Sequence, residues 1–141
     1  MWPVHFEERL ASWYDLRQRN QSTTIEQALE DINNWWFQVP VVNRYLHIDD
    51  HAVWPGPWDL LADDTYCDLA RALGIVYTIM MLDRDDMPKT KIIQTDDGNL
   101  VQVQDGKYIL NWAPGELVNI QSTNTNTNKS LDSDSLRHLL G

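Results

Sequence analysis

The stretch 63–82, DDTYCDLARALGIVYTIMML, decides how the rest of the chain is arranged. From Ala72 to Leu82 it is apolar on nearly every side, which suits a helix surrounded by other elements. Tyr66, Leu69, Ala70, Leu73, Val76, Tyr77 and Met80 recur at helical spacing, so the pattern predicts a central buried helix running to about Leu82. Asp63, Asp64 or Thr65 is expected to cap its start, where carboxylates suit the positive end of the helix dipole. Gly74 inside it costs about 1 kcal/mol relative to alanine and permits close approach of another element. Cys67, the single cysteine of the chain, falls one turn into this segment.

Upstream, residues 3–20 predict a first helix. Phe6, Leu10, Trp13 and Leu16 or Arg17 lie along one side, and Glu7, Glu8 and Arg9 outside. TTIE at 23–26 matches a capping box, with Thr23 as N-cap and Glu26 reaching back. Ile25, Ala28, Leu29, Ile32, Trp35 and Trp36 then carry one face of a second helix, which Pro40 ends. Pro55 and Pro57 around Gly56 force a turn before a brief helix at 58–61.

After Pro88 the hydrophobic period changes to two. KIIQT (91–95), NLVQVQ (99–104), KYILNW (107–112) and LVNIQ (117–121) read as strands, with DDG and DG as hairpin signals. The expected fold class is α+β: N-terminal helices and a central buried helix packed on a three- to four-stranded antiparallel meander. Residues 1–121 form the single domain. Residues 122–135, STNTNTNKSLDSDS, are polar and low in complexity and read as a disordered linker, with a helical turn at 136–141.

A chain of 141 residues suffices for one domain with a real core. Asp and Glu number 21 against 11 Lys and Arg, a net charge of −10 that repels phosphate backbones and anionic membranes. The expected partner is therefore a protein or a second copy of the chain, with neither nucleic acid nor membrane. One cysteine forms no internal disulfide and suits a reducing compartment. No signal peptide is recognisable, and the longest apolar run, GIVYTIMML, falls short of the ~20 residues of a membrane span. No phosphate loop, nucleophile elbow or paired-cysteine motif occurs, and no cofactor is expected.

Three features carry possible chemistry. Cys67 at a helix start has the placement of a nucleophilic thiol, which also needs a base oriented by Asp or Asn. A cysteine helix followed by an antiparallel meander resembles the core of the transglutaminase-like and papain-like folds. That resemblance implies a histidine at the start of the second strand and an Asp or Asn at the end of the third. GKYILNWAPG is similar to the end-of-third-strand motif and puts Asn111 in the acid's place, but DGNLVQV puts Asn99 where the histidine belongs. An asparagine takes no proton from a thiol, and Asp63, Asp64 and Asp68 disfavour another negative charge nearby. The plainer reading is a small core residue among Tyr66, Ala70, Leu73 and Gly74.

HIDDH at 47–51 is the second feature: if helical, His47 and His51 share a face and, with Asp49, offer metal-ligand spacing. A solvated acidic loop is the simpler expectation. The seven tryptophans are the third. Most should be core. Trp35, Trp36, Trp54 and Trp58 crowd around two proline turns, and at least one of the adjacent pair Trp35 and Trp36 is expected at an edge, as an interface anchor.

The phrasing WPGPWDL followed by YCDLARALG is similar to small uncharacterised proteins of T4-like, particularly marine, tailed phages. That resemblance implies a protein made in a host cytoplasm or carried in a virion, working in assembly or host modulation. The leading expectation is thus a non-enzymatic phage-type protein that binds protein through its Trp-rich, acidic surface. The alternatives are a cysteine-dependent or degenerate transglutaminase-like fold, with Cys67 facing Asn111, and a small metal-binding protein using His47 and His51.

Overall fold

The computed structural model describes residues 2–40, 54–63, 66–87, 90–95, 98–104, 107–113, 116–118 and 127–139. Helices α1 (Phe6–Arg19), α2 (Ile25–Trp36), α3 (Pro57–Ala62) and α4 (Asp68–Leu82) precede strands β1 (Lys91–Thr95), β2 (Gly98–Val103), β3 (Tyr108–Ala113), β4 (Glu116–Val118) and β5 (Thr127–Asp132). A short 3-10 helix, Ser133–Leu139, follows β5. The sheet is antiparallel with order β4-β3-β2-β1-β5. The expected α+β class, helices on an antiparallel meander, is what the chain adopts.

Helix α4 is the organising element. It packs on β1, β2 and β3, and also touches α1, α2 and α3. Its residues from Ala72 to Ile79 are all buried, as the all-round apolar run requires. The period-two alternation sorts the strands into two faces. Ile92, Val101 and Leu110 stand in register and join the main core, whereas Ile93, Leu100 and Ile109 form a small separate cluster.

At Gly74 the Trp36 ring of α2 lies directly against α4. A Cβ there would lie 2.5 Å from the Trp36 ring. Thr78, one turn on, ties the same region together. Its Oγ1 accepts from Trp13 Nε1 (2.8 Å) and Trp36 Nε1 (2.9 Å) and donates to the Gly74 carbonyl (2.8 Å). Two buried indoles thus share one hydroxyl, leaving no polar atom of the trio unpaired.

Four sequence expectations are corrected. Residues 127–132, assigned above to a disordered linker, form the edge strand β5 on β1, from Lys91↔Asp132 to Thr95↔Thr127. Backbone pairing, with Leu131 against the core, supplies what the polar composition does not. The cap of α2 is Thr24, which accepts from Gln27 N at 3.2 Å, not Thr23; Glu26 instead accepts a hydrogen bond from Tyr108. The N-cap of α4 is Cys67 itself, so the helix starts later than a cap at Asp63, Asp64 or Thr65 would put it. Arg9, expected outside, is buried. Its guanidinium donates to the carbonyls of Pro3 (2.7 Å), Leu61 (2.9 Å) and Asp63 (2.7 Å) and lies 5.2 Å over Trp2. It satisfies carbonyls at the end of α3 that the helix leaves open.

Candidate functional site

The ends of three elements meet beside Cys67. The first turn of α4 supplies Asp68 and Arg71, the start of β2 supplies Gly98 and Asn99, and β3 supplies Asn111. Asp68 grips β2 with both carboxylate oxygens: Oδ2 accepts from the Asn99 backbone N–H at 3.0 Å and Oδ1 from Asn99 Nδ2 at 3.0 Å. The approach requires glycine next door. Gly98 has φ +132, and a Cβ there would sit 2.7 Å from Asp68 Oδ2.

Asn111 is the hub. It has φ +68, a left-handed conformation that asparagine tolerates better than most residues. Its backbone N–H donates to Asn33 Oδ1 (2.8 Å), and its Nδ2 donates to the carbonyls of Asp68 (2.9 Å) and Asn99 (2.7 Å). Its Oδ1 accepts from Arg71 Nε. The side chain has no donor left over and ties α4 and β2 to β3, while the backbone N–H ties in α2. The sheet register shifts along β3 between Ile109 and Ala113, so the chain bends where this hub sits.

Arg71 lies with Cζ 3.8 Å from the centre of the Phe37 ring. Burial pushes its guanidinium below the ordinary value, against the opposing attraction of Asp68 and Cys67. Beside these groups opens a cavity of about 270 Å³ lined by Asp68, Arg71, Gly98, Asn99, Asn111 and Trp112.

Cys67 is 1% exposed and free. As N-cap of α4 it immediately precedes Asp68, so Asn111 and Asn99 gather around the residue after it. The hydrogen bonds of Asn111 go to Asp68, Asn99, Asn33 and Arg71, and no imidazole among the described residues hydrogen-bonds the thiol.

The tryptophans fall on both sides of the surface. Trp35 and Trp36 are both buried, against the expectation that one lies at an edge, because Trp2 folds back over the pair with ring centres at 5.0 and 6.0 Å. Trp54 is also buried, whereas Trp58 is 46% exposed and Trp112 is 38% exposed. His47, Asp49 and His51 lie outside the described residues. Among the described residues no group of three or more His, Cys, Asp or Glu side chains is arranged to hold a metal ion. Asn33, Arg71 and the buried Arg9 escaped sequence reasoning. The only available signal was a polar residue on an otherwise apolar stripe, as Asn33 is beside Ile32.

The architecture, helices on an antiparallel meander, resembles the transglutaminase-like or papain-like core at the level of fold. Among solved structures it is similar to Legionella pneumophila LapG, with a TM-score of 0.74 over 94% of this chain and 84% of that one, at 14% identity. At that identity the likeness concerns the fold alone. No family model matches the chain, and no curated protein matches it in sequence. No helix among the described residues is long and apolar enough to cross a membrane.

Proposed function

We propose that the chain is a non-enzymatic protein of transglutaminase-like fold that works by binding another protein or a second copy of itself. The observation that carries this reading is Asn99. At the start of the second strand, where the resemblance puts a proton acceptor, Asn99 donates to Asp68 through both its backbone N–H and Nδ2. An amide neither activates a thiol nor carries a proton through a transfer. The equivalent of the orienting acid, Asn111, is likewise consumed in holding the fold together.

Trp58 supports the binding half. Its ring lies 5.5 Å from Trp13, over which Arg17 stacks at 4.5 Å, and Arg17 also reaches exposed Tyr14 at 5.7 Å. Exposed Trp58 and Tyr14, with the half-buried Arg17 between them, are of the residue types that dominate interface energetics. The phage-type origin and a place in the host cytoplasm or virion belong to the same proposal and rest on the sequence phrasing alone.

The purified chain, incubated with labelled casein and a fluorescent primary amine, should show no hydrolysis or amine incorporation that disappears in Cys67→Ser. A photo-crosslinker at Tyr14 should yield a discrete protein adduct that Trp58→Ala abolishes. Cys67-dependent turnover would overturn the non-enzymatic reading. Adducts indifferent to Trp58→Ala would overturn the assignment of the patch.

A further inference from the structure

The cleft beside Asp68 leaves two groups with open hydrogen-bonding capacity. The first is Arg71. It donates through Nε to a neutral amide and stacks on Phe37, and it takes part in none of the ion pairs among the described residues. The terminal nitrogens of its guanidinium, the fork that suits a carboxylate, have no hydrogen-bond partner there. Asp68 attracts the guanidinium through space but spends both carboxylate oxygens on Asn99, so the fork itself is left for an anionic ligand.

The second is Asn99. The residue is 1% exposed and its Oδ1 is buried with no hydrogen-bond partner. Rotating the amide does not cure this, because Asp68 requires the Nδ2 end on its own side. A buried acceptor without a donor carries an uncompensated desolvation cost, which a ligand N–H would remove. Both residues line the same cavity of about 270 Å³, and half-exposed Trp112 lines it with them. That volume is close to the lower end of small-ligand sites, ~300 Å³.

We propose that this cleft binds a carboxylate carried next to a peptide N–H, as at the C-terminal residue of a peptide or on an Asp side chain. The carboxylate sits on the terminal nitrogens of Arg71, the N–H donates to Asn99 Oδ1, and the flanking side chain covers Trp112. A phosphate fits less well, since its further anionic oxygens would face Oδ1 and the Asp68 carboxylate. The inference rests on the non-enzymatic reading above and names the chemistry that its site would recognise. The chain's net charge of −10 opposes an anion at long range, but that field is screened beyond about 8 Å at physiological salt, so the contact groups decide recognition.

Side-chain NMR of labelled protein at physiological salt tests this with four probes: acetyl-Leu-Leu as free acid, its C-terminal amide, acetyl-Leu-Asp-amide and sodium acetate. The free acid or the Asp peptide should shift Arg71 Nε–H, the Asn99 side-chain amide and the Trp112 indole together, and whichever is tighter identifies the source. The C-terminal amide and acetate should bind at least about tenfold more weakly. Arg71→Lys, which keeps the charge and loses the fork, should weaken binding by a similar factor, and Trp112→Ala should do so without disturbing the fold. Equal binding of acid and amide, acetate matching the peptides, or no saturable shift up to about 10 mM overturns the proposal. Chromatography of the recovered peptides keeps the two readings apart. Cys67-dependent cleavage would sink the non-enzymatic reading while leaving the binding result standing, whereas intact peptides without shifts sink only the cleft assignment.

Discussion

Replacing Gly74 with alanine drives a methyl group into the Trp36 ring. The new Cβ would lie 2.5 Å from Cη2, 2.5 Å from Cζ3 and 2.6 Å from Cε3. The ring must retreat by roughly 1 Å to reach ordinary carbon contact, ~3.5 Å. Its room is limited by Trp2, Trp13 and Trp35, with ring centres at 6.0, 6.5 and 5.0 Å, and its Nε1 is tied to Thr78 Oγ1 at 2.9 Å. Overpacking a closed core costs about 1–3 kcal/mol, and stretching the indole bond adds about 1 kcal/mol or more. Alanine returns about 1 kcal/mol of helix propensity. The net expectation is a loss of about 1–3 kcal/mol, read as a lower urea midpoint at unchanged slope, with a shifted Trp36 indole signal. A stabilised variant, as at an exposed helical glycine, would refute the close approach of α2 and α4.

Further outcomes follow from other contacts. Thr78→Val keeps the shape but strands the indole N–H groups of Trp13 and Trp36, at about 2–4 kcal/mol in urea unfolding, while Thr78→Ser should restore most of it. Gly98→Ala combines φ +132 with a 2.7 Å clash on Asp68 Oδ2. It should cost about 1–3 kcal/mol and release the Asn99 side-chain amide signal; an unchanged signal would contradict the Asp68 clamp. Asp31 accepts from Arg19 Nε (2.8 Å) and Nη2 (3.0 Å) and from Asn20 Nδ2 (2.7 Å). Burial raises its pKa, but these bonds outweigh burial and leave it lowered. A carboxylate depressed in the folded state stabilises above its unfolded value and loses that stabilisation as pH falls through its folded value. The stability gap between the chain and Asp31→Asn should therefore be constant near neutrality and shrink below about pH 4. A gap that persists there argues against the pairing.

Helix α4 and the meander were legible because burial imposes a period on the sequence. An all-round apolar run fits only an enclosed helix, and alternation at Ile92, Val101 and Leu110 marks one sheet face. Strand β5 was obscured because an edge strand is held by backbone pairing, which composition does not report. The site was half legible. Asn99 and Asn111 stand where the fold resemblance placed them, but Arg71 and Asn33 read as ordinary helix residues until the packing of α4 on the sheet brought them together. Burial of Trp35 and Trp36 together depends on Trp2, more than thirty residues away, and no local pattern encodes that. The segment DDTYCDLARAL offered Asp and Thr as better caps than cysteine, yet the helix begins after Cys67.

The most direct test of the proposal that Cys67 has no base is its alkylation rate by iodoacetamide, in the folded chain and in urea, across pH. A buried thiol without a histidine should react only through opening of the structure, at least about a hundredfold more slowly than when unfolded. Asn99→His, if it folds, should be the variant that departs from this behaviour. Rapid alkylation of the folded wild-type chain, persisting below neutral pH as an activated thiolate would, would contradict the account.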